Sequence, residues 1–92
     1  MKQTEVTLLN SSGLHARPAA QLVKAANQFQ GTTIKLSKED RQIDAKSVLG
    51  VMTLGATQGT VLTVWAEGAD EDKAVQTLAD LIASGLGEGE NL

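Results

Sequence analysis

The chain has 92 residues, of which 41% are hydrophobic and 21% charged, and its formal net charge is −3. This composition predicts one globular domain, while scattered basic residues and only two aromatic side chains, Phe29 and Trp65, argue against nucleic-acid binding. Because the sequence has no cysteine and a single histidine, it offers no disulfide, no thiolate metal site and no site with several histidine ligands, and we predict no cofactor.

The first half of the chain predicts a strand, a helix and two further strands. Residues 5–8 alternate between polar and apolar side chains, as expected for a half-buried strand. A helix is predicted over residues 16–28, and its apolar positions recur at helical spacing: Ala19, Leu22, Val23, Ala26 and Phe29. Residues 32–36 alternate again, and a charged turn over residues 37–41 leads to a short strand that ends near Ala45.

The second half of the chain predicts a short helix, a strand and a longer helix. Ser47 is a suitable N-cap for the short helix, which is expected to end at Gly55. Residues 60–66 form the clearest strand, and alternation places Trp65 on its outer face. The last helix is expected to begin at Asp70 and to bury Val75, Leu78, Ala79, Ile82 and Leu86.

The element order βαββαβα predicts an α+β fold of the open-faced sandwich type. In this arrangement a four-stranded antiparallel sheet is covered on one face by three helices. Residues 1–86 would form the domain, and the glycine-rich residues 87–92 would form a flexible acidic tail. Since no signal segment and no membrane-spanning run is visible, we expect a cytoplasmic protein without membrane insertion.

The segment Gly-Leu-His-Ala-Arg-Pro-Ala-Ala at residues 13–20 contains the sole histidine and the sole proline of the chain. Pro18 suits the first turn of a helix, which places His15 at the helix mouth, where unpaired N–H groups and the helix dipole favour an anion. The forked donors of Arg17 suit a phosphate. A neutral imidazole could therefore act as a nucleophile here, although the spacing alone fits an ordinary loop histidine equally well.

Two segments of the chain resemble signatures of the histidine-containing phosphocarrier (HPr) family of the bacterial sugar phosphotransferase system. Residues 13–20 resemble its active-site segment, and residues 45–55, Ala-Lys-Ser-Val-Leu-Gly-Val-Met-Thr-Leu-Gly, resemble the segment around its regulatory serine. Further similarity runs from Gln58 to Gly68, so that the resemblance covers about residues 2–85. It implies the open-faced βαββαβα fold that the element order also predicts.

The resemblance also implies roles for individual residues. His15 would be phosphorylated on Nδ1, Arg17 would stabilise the phosphoryl group, and Ser12 would support the site. Ser47 matches the serine that a regulatory kinase phosphorylates, although kinase-recognised members more often carry Ile and Met at the next two positions. Residues expected to support or dock partners are Ala16, Val48, Leu49, Val51 and Met52. About half of the four apolar residues of the short helix could instead face the core.

A member of this family would be a phosphocarrier and not an enzyme. It would accept a phosphoryl group from phosphorylated enzyme I and pass it to sugar-specific IIA proteins, with HPr serine kinase/phosphorylase and a catabolite-control transcription regulator as further partners. The alternative is a regulatory binding module of the same fold, in carbon catabolite repression or in a nitrogen or dihydroxyacetone branch. Binding-only members lack the histidine, so the presence of His15 favours the carrier.

Overall fold

The computed structural model describes residues 1–11 and 13–86, so Ser12 and the predicted acidic tail over 87–92 lie outside the described residues. The strands are β1 (Lys2–Thr7), β2 (Thr32–Lys38), β3 (Arg41–Asp44) and β4 (Val61–Gly68), and the helices are α1 (Ala16–Ala26), α2 (Val48–Thr53) and α3 (Glu71–Ala83). The predicted order and fold class are confirmed. Within the described ranges, no helix is long and apolar enough to cross a membrane.

The four strands form one sheet in the order β1-β4-β2-β3, and every neighbouring pair is antiparallel. In β4, Trp65 lies opposite Gln3 of β1 and Lys35 of β2. Alternate residues of β4 are buried in the core, namely Leu62, Val64 and Ala66. Trp65 therefore lies on the other face, as predicted, where it is half-buried and its Nε1 donates to Ser37 Oγ at 2.9 Å.

The helices bury the apolar stripes that their spacing predicts, with one correction. All five residues of the α1 stripe are buried, and so are four of the five predicted for α3. Ala79 is only half-buried, whereas Ala74 is completely buried. The reason is that the α3 stripe is centred on Ala74, Leu78 and Ile82, which follow one another at i+4 spacing.

Helix α1 ends at Ala26, two residues earlier than predicted. Its last turn tightens, because Gln28 N donates to Ala25 O, three residues back, at 3.2 Å. The side chain of Asn27 donates to Val23 O at 3.0 Å, and the same carbonyl also accepts from Asn27 N at 2.9 Å. The helix therefore ends where local hydrogen bonds replace the regular ladder. The spacing of apolar residues alone does not locate this point.

The N-terminus of α3 carries its own negative charge. Asp70 is the N-cap residue, as predicted, but its side chain makes no capping hydrogen bond. The carboxylate of Glu71, the first residue of the helix, instead accepts from Gly68 N, an amide that precedes the helix, at 3.2 Å. A hydrogen bond from the N-terminal ammonium, followed by that from Gly68, lowers the pKa of Glu71, which keeps its carboxylate ionised beside the positive end of the helix dipole.

Candidate functional site

His15 is the N-cap residue of α1, and the structure exposes its imidazole at the helix mouth, as predicted. Its backbone is extended, with φ −77° and ψ −176°, and its side chain makes no capping hydrogen bond. The carbonyl of His15 accepts the first intrahelical hydrogen bond, from Ala19 N, at 2.9 Å. The backbone of His15 is therefore anchored to the helix while its ring remains exposed to solvent.

The first turn of α1 provides an environment suited to an anion. It contains no acidic residue, in contrast to α3, whose first turn holds Glu71 and Asp72. Pro18 has no N–H, so the amides of Ala16 and Arg17 are those that precede the intrahelical ladder. The side chain of Arg17 is exposed two residues after His15. Together these groups can stabilise an anionic group attached to the imidazole.

The loop over residues 56–60 is hydrogen-bonded to the loop over residues 8–14, which leads to His15. Leu8 N donates to Thr60 O at 2.9 Å, and Gly59 N donates to Leu8 O at 2.8 Å. Further along, Leu14 N donates to Ala56 O at 3.2 Å. The two loops are far apart in sequence, so this support for the histidine segment depends on the tertiary structure.

Gly13 is required at the closest approach of these two loops. Its φ is +70°, and an added Cβ would lie 2.6 Å from Ala56 O. We expect Gly13→Ala to lower the free energy of unfolding by about 2–4 kcal/mol, the sum of a strained backbone and a steric clash, as measured by urea denaturation.

The matched control for Gly13 is Gly31. It has a similar φ of +79°, but an added Cβ would meet nothing within 4 Å. Gly31→Ala should therefore show only the backbone cost of about 1–2 kcal/mol. Equal losses in the two variants would mean that the contact between the two loops contributes nothing.

Asn10 is a residue of this site that the sequence indicated only as part of a polar loop. It is 2% exposed, and its Nδ2 donates to Gly13 O. Its own carbonyl accepts from Gly13 N at 3.2 Å. An asparagine shortly before a glycine is typical of turns that bond their own backbone, and this was the available signal.

Ser47 is the N-cap of α2, as predicted. Its Oγ accepts from Gly50 N at 3.1 Å, and its carbonyl accepts from Val51 N at 3.0 Å. A Cβ on Gly50 would lie 3.3 Å from Ser47 Oγ, so glycine leaves room for the capping hydroxyl. The first turn of α2 contains no acidic residue.

The residues expected to dock partners divide between the surface and the core. Leu49 is 77% exposed, Met52 39% and Val48 37%; we call these three residues the α2 patch. Ala16 is exposed as well. The expectation that Val51 contributes to docking is wrong, because this residue is completely buried. Residues 48, 49 and 52 share one helical face, whereas residue 51 points to the other side.

Other features of residues 1–11 and 13–86 do not compete with the histidine segment as the candidate site. This part of the chain contains no group of three or more His, Cys, Asp or Glu side chains that could hold a metal ion. A groove of about 530 Å³ lies around Trp65, lined also by Lys35, Gln42 and Glu67 among others, and His15 is not part of it. The candidate site is therefore the exposed histidine segment and not a cavity.

Comparisons with known proteins identify the family of this chain. The family model described as "PTS HPr component phosphorylation site" matches residues 2–84. The phosphocarrier protein HPr of Cupriavidus necator is 44% identical over 90 residues, which are 98% of this chain and 100% of that protein. The crystal structure of HPr-C-His from Thermoanaerobacter tengcongensis has a TM-score of 0.90 at 44% identity, covering 96% of this chain and 98% of that chain.

A further structural relative is named for its connection with catabolite repression. The crystal structure of Crh, the catabolite repression protein of Bacillus subtilis, described as a dimer with a swapped domain, has a TM-score of 0.74 at 38% identity and covers 92% of this chain and 97% of that chain. Both the family model and these relatives extend over nearly the whole sequence. The chain therefore belongs to the HPr family, the phosphocarrier proteins of the phosphotransferase system, which are carriers and not catalysts.

Proposed function

We propose that this chain accepts a phosphoryl group on His15 from phosphorylated enzyme I and donates it to sugar-specific IIA proteins in the cytoplasm. The observation that carries the proposal is the exposed imidazole at the mouth of α1, whose first turn has no acidic residue. Enzyme I and IIA proteins are the partners that membership of the family implies. The retained histidine favours a carrier over a module that acts through binding alone.

The proposed function requires two successive displacements at phosphorus, one that loads His15 and one that unloads it. The lone pair of a ring nitrogen of His15, which the family resemblance assigns as Nδ1, attacks the phosphorus in line. A bond from this nitrogen to phosphorus forms while the bond to the donor group of enzyme I breaks, and that group keeps the electron pair. In a second displacement, a nucleophile of the IIA protein attacks the phosphorus while the bond from phosphorus to the His15 nitrogen breaks, and that nitrogen keeps the electron pair. Positioning and charge stabilisation dominate such reactions.

Arg17 and the amides of the first turn supply the charge stabilisation in this proposal. The site is open to solvent, since His15, Ala16 and Arg17 are all exposed. Water screens the interactions of exposed charges, so the phosphoryl group is stabilised moderately and can leave again. A carrier needs this balance, because a deeply stabilised phosphohistidine would not be passed on.

Docking is assigned to the α2 patch together with Ala16. Helix α2 packs against α1, which carries the histidine at its N-terminus. An exposed leucine and methionine on a short helix give an apolar surface next to polar groups, and methionine adapts to differently shaped partners. Enzyme I and the IIA proteins would use this surface in turn, because both must reach His15.

The direct test is incubation with labelled phosphoenolpyruvate, enzyme I and a set of IIA proteins. We expect label to appear on the chain only when enzyme I is present, and then to move to at least one IIA protein. The HPr of Cupriavidus necator, tested in parallel, verifies the reagents. Label on that protein but none on this chain would contradict the proposed function.

Regulation at Ser47 is the second part of the proposal. A phosphate on Ser47 would lie at the N-terminus of α2, where the dipole favours it and no acidic residue competes. It would also place about two negative charges beside Val48 and the rest of the α2 patch. These charges would repel an acidic docking surface and the incoming phosphoryl group.

We expect Ser47→Asp to fold normally, since aspartate also caps helices, yet to accept phosphate from enzyme I at least tenfold more slowly. The control is Ser47→Ala, which loses the cap at about 1 kcal/mol but adds no charge and should transfer at the original rate. Stopped-flow or quenched-flow phosphorylation measures both variants. Unchanged transfer in Ser47→Asp would refute the regulatory role. A separate incubation of the unmodified chain with HPr serine kinase and ATP would show whether Ser47 is a substrate.

A further inference from the structure

Asn10 is a buried polar residue in the segment that leads to His15. We propose that Asn10 is a positioning residue for phosphoryl transfer, whose side-chain amide holds the turn that directs His15 to the mouth of α1. The inference rests on the proposed function of His15 as the phosphoryl acceptor. It assigns to Asn10 no contact with the phosphoryl group itself.

Hydrogen bonds with Asn10 restrain Gly13, in the segment that immediately precedes His15. Both backbone polar groups of Gly13 bond to Asn10, since Gly13 N donates to Asn10 O at 3.2 Å and Gly13 O accepts from Asn10 Nδ2. The next amide, Leu14 N, donates to Ala56 O at 3.2 Å. The helix holds His15 from the other side through its carbonyl. Asn10 therefore supplies the first of three consecutive anchors.

Stability alone does not account for an asparagine at this position. Asn10 is 2% exposed, and its Oδ1 has no hydrogen-bond partner in the described structure. A buried acceptor without a partner is unfavourable, and this cost offsets the gain from the bond that Nδ2 donates. Alanine would remove the unpaired oxygen together with the donor. We therefore expect the turn geometry to depend on Asn10 more strongly than the free energy of unfolding does.

The effect on transfer follows from the geometry of in-line displacement. The ring nitrogen must lie close to phosphorus and along the axis of the breaking bond, and a displacement of about 1 Å can cost about a hundredfold in rate. Substitution of Asn10 removes the side-chain bond to Gly13 O while the backbone bond from Gly13 N remains, so the backbone that carries His15 loses one of its restraints and becomes less precisely positioned. The α2 patch does not depend on this turn, so docking of enzyme I should persist.

The test compares Asn10→Ala and Asn10→Asp with the matched control Asn27→Ala. Asn27 makes the same type of bond at the other end of α1, from Nδ2 to Val23 O at 3.0 Å. For each variant, kcat and KM for phosphorylation by enzyme I are measured at a temperature where urea and thermal unfolding show it to be fully folded. NMR relaxation of the Gly13 and Leu14 amides reports the order of the turn.

We expect both Asn10 variants to lower kcat about tenfold or more, with KM changed less than about twofold, and to increase the mobility of Gly13 and Leu14. Asn10→Asp should be the slower one, because a carboxylate cannot donate to Gly13 O and would set a negative charge against that carbonyl oxygen. Asn27→Ala should retain the original rate. Original rates in the Asn10 variants, or an equal loss in Asn27→Ala, would overturn the inference. Failure of the proposed function is a different result, in which the unmodified chain itself takes up no phosphate.

Discussion

His15→Ala is expected to lose all phosphoenolpyruvate-dependent labelling, because it removes the sole imidazole of the chain. The variant should fold normally: His15 is exposed and its side chain makes no capping hydrogen bond, so the change in the free energy of unfolding should be within about 0.5 kcal/mol. Label incorporation and urea denaturation on the same preparations separate loss of the acceptor from loss of the fold.

The chemistry of the adduct gives an independent control for this experiment. A phosphoryl group on an imidazole nitrogen is labile in acid and stable in alkali, whereas a phosphate ester on a hydroxyl such as that of Ser47 is stable in acid. The label on the unmodified chain should therefore disappear at low pH. Label retained by His15→Ala, or an acid-stable label on the unmodified chain, would remove the central claim.

Arg17→Ala has the second largest expected effect. Because Arg17 is exposed at the mouth of α1, its charge should contribute little to stability. Its contribution to a developing negative charge beside His15 is expected to be larger. We expect transfer from enzyme I to slow by about tenfold to a thousandfold, equivalent to about 1.4–4 kcal/mol of transition-state stabilisation.

Two further variants identify the origin of that loss. Arg17→Lys keeps the charge but not the planar fork of donors, so it should recover part of the rate. Lys24→Ala removes the same charge from an exposed position in the last turn of α1, and it should transfer at close to the original rate. If Lys24→Ala slowed transfer as much as Arg17→Ala, the effect would come from net charge. A lower melting temperature with unchanged rates would make the role of Arg17 structural.

Features that depend on residues close together in the chain are predictable from the sequence. The periodicity of residues 16–28 predicts the buried stripe of α1, because side chains three and four residues apart share one face of a helix. Ser47 is recognisable as an N-cap, since its hydroxyl bonds an amide only three residues ahead. The position of His15 at the mouth of α1 follows from Pro18 in the first turn for the same local reason.

Features that join distant parts of the chain arise only when the chain folds. The strand order β1-β4-β2-β3 and the contact of Gly13 with Ala56 arise between segments separated by tens of residues, and local propensity has no information about them. The division of α2 between exposed Leu49 and buried Val51 has a related cause. A helix of six residues, four of them apolar, is too short to show a periodic pattern of its own, so packing against the rest of the domain decides which of the apolar residues are buried.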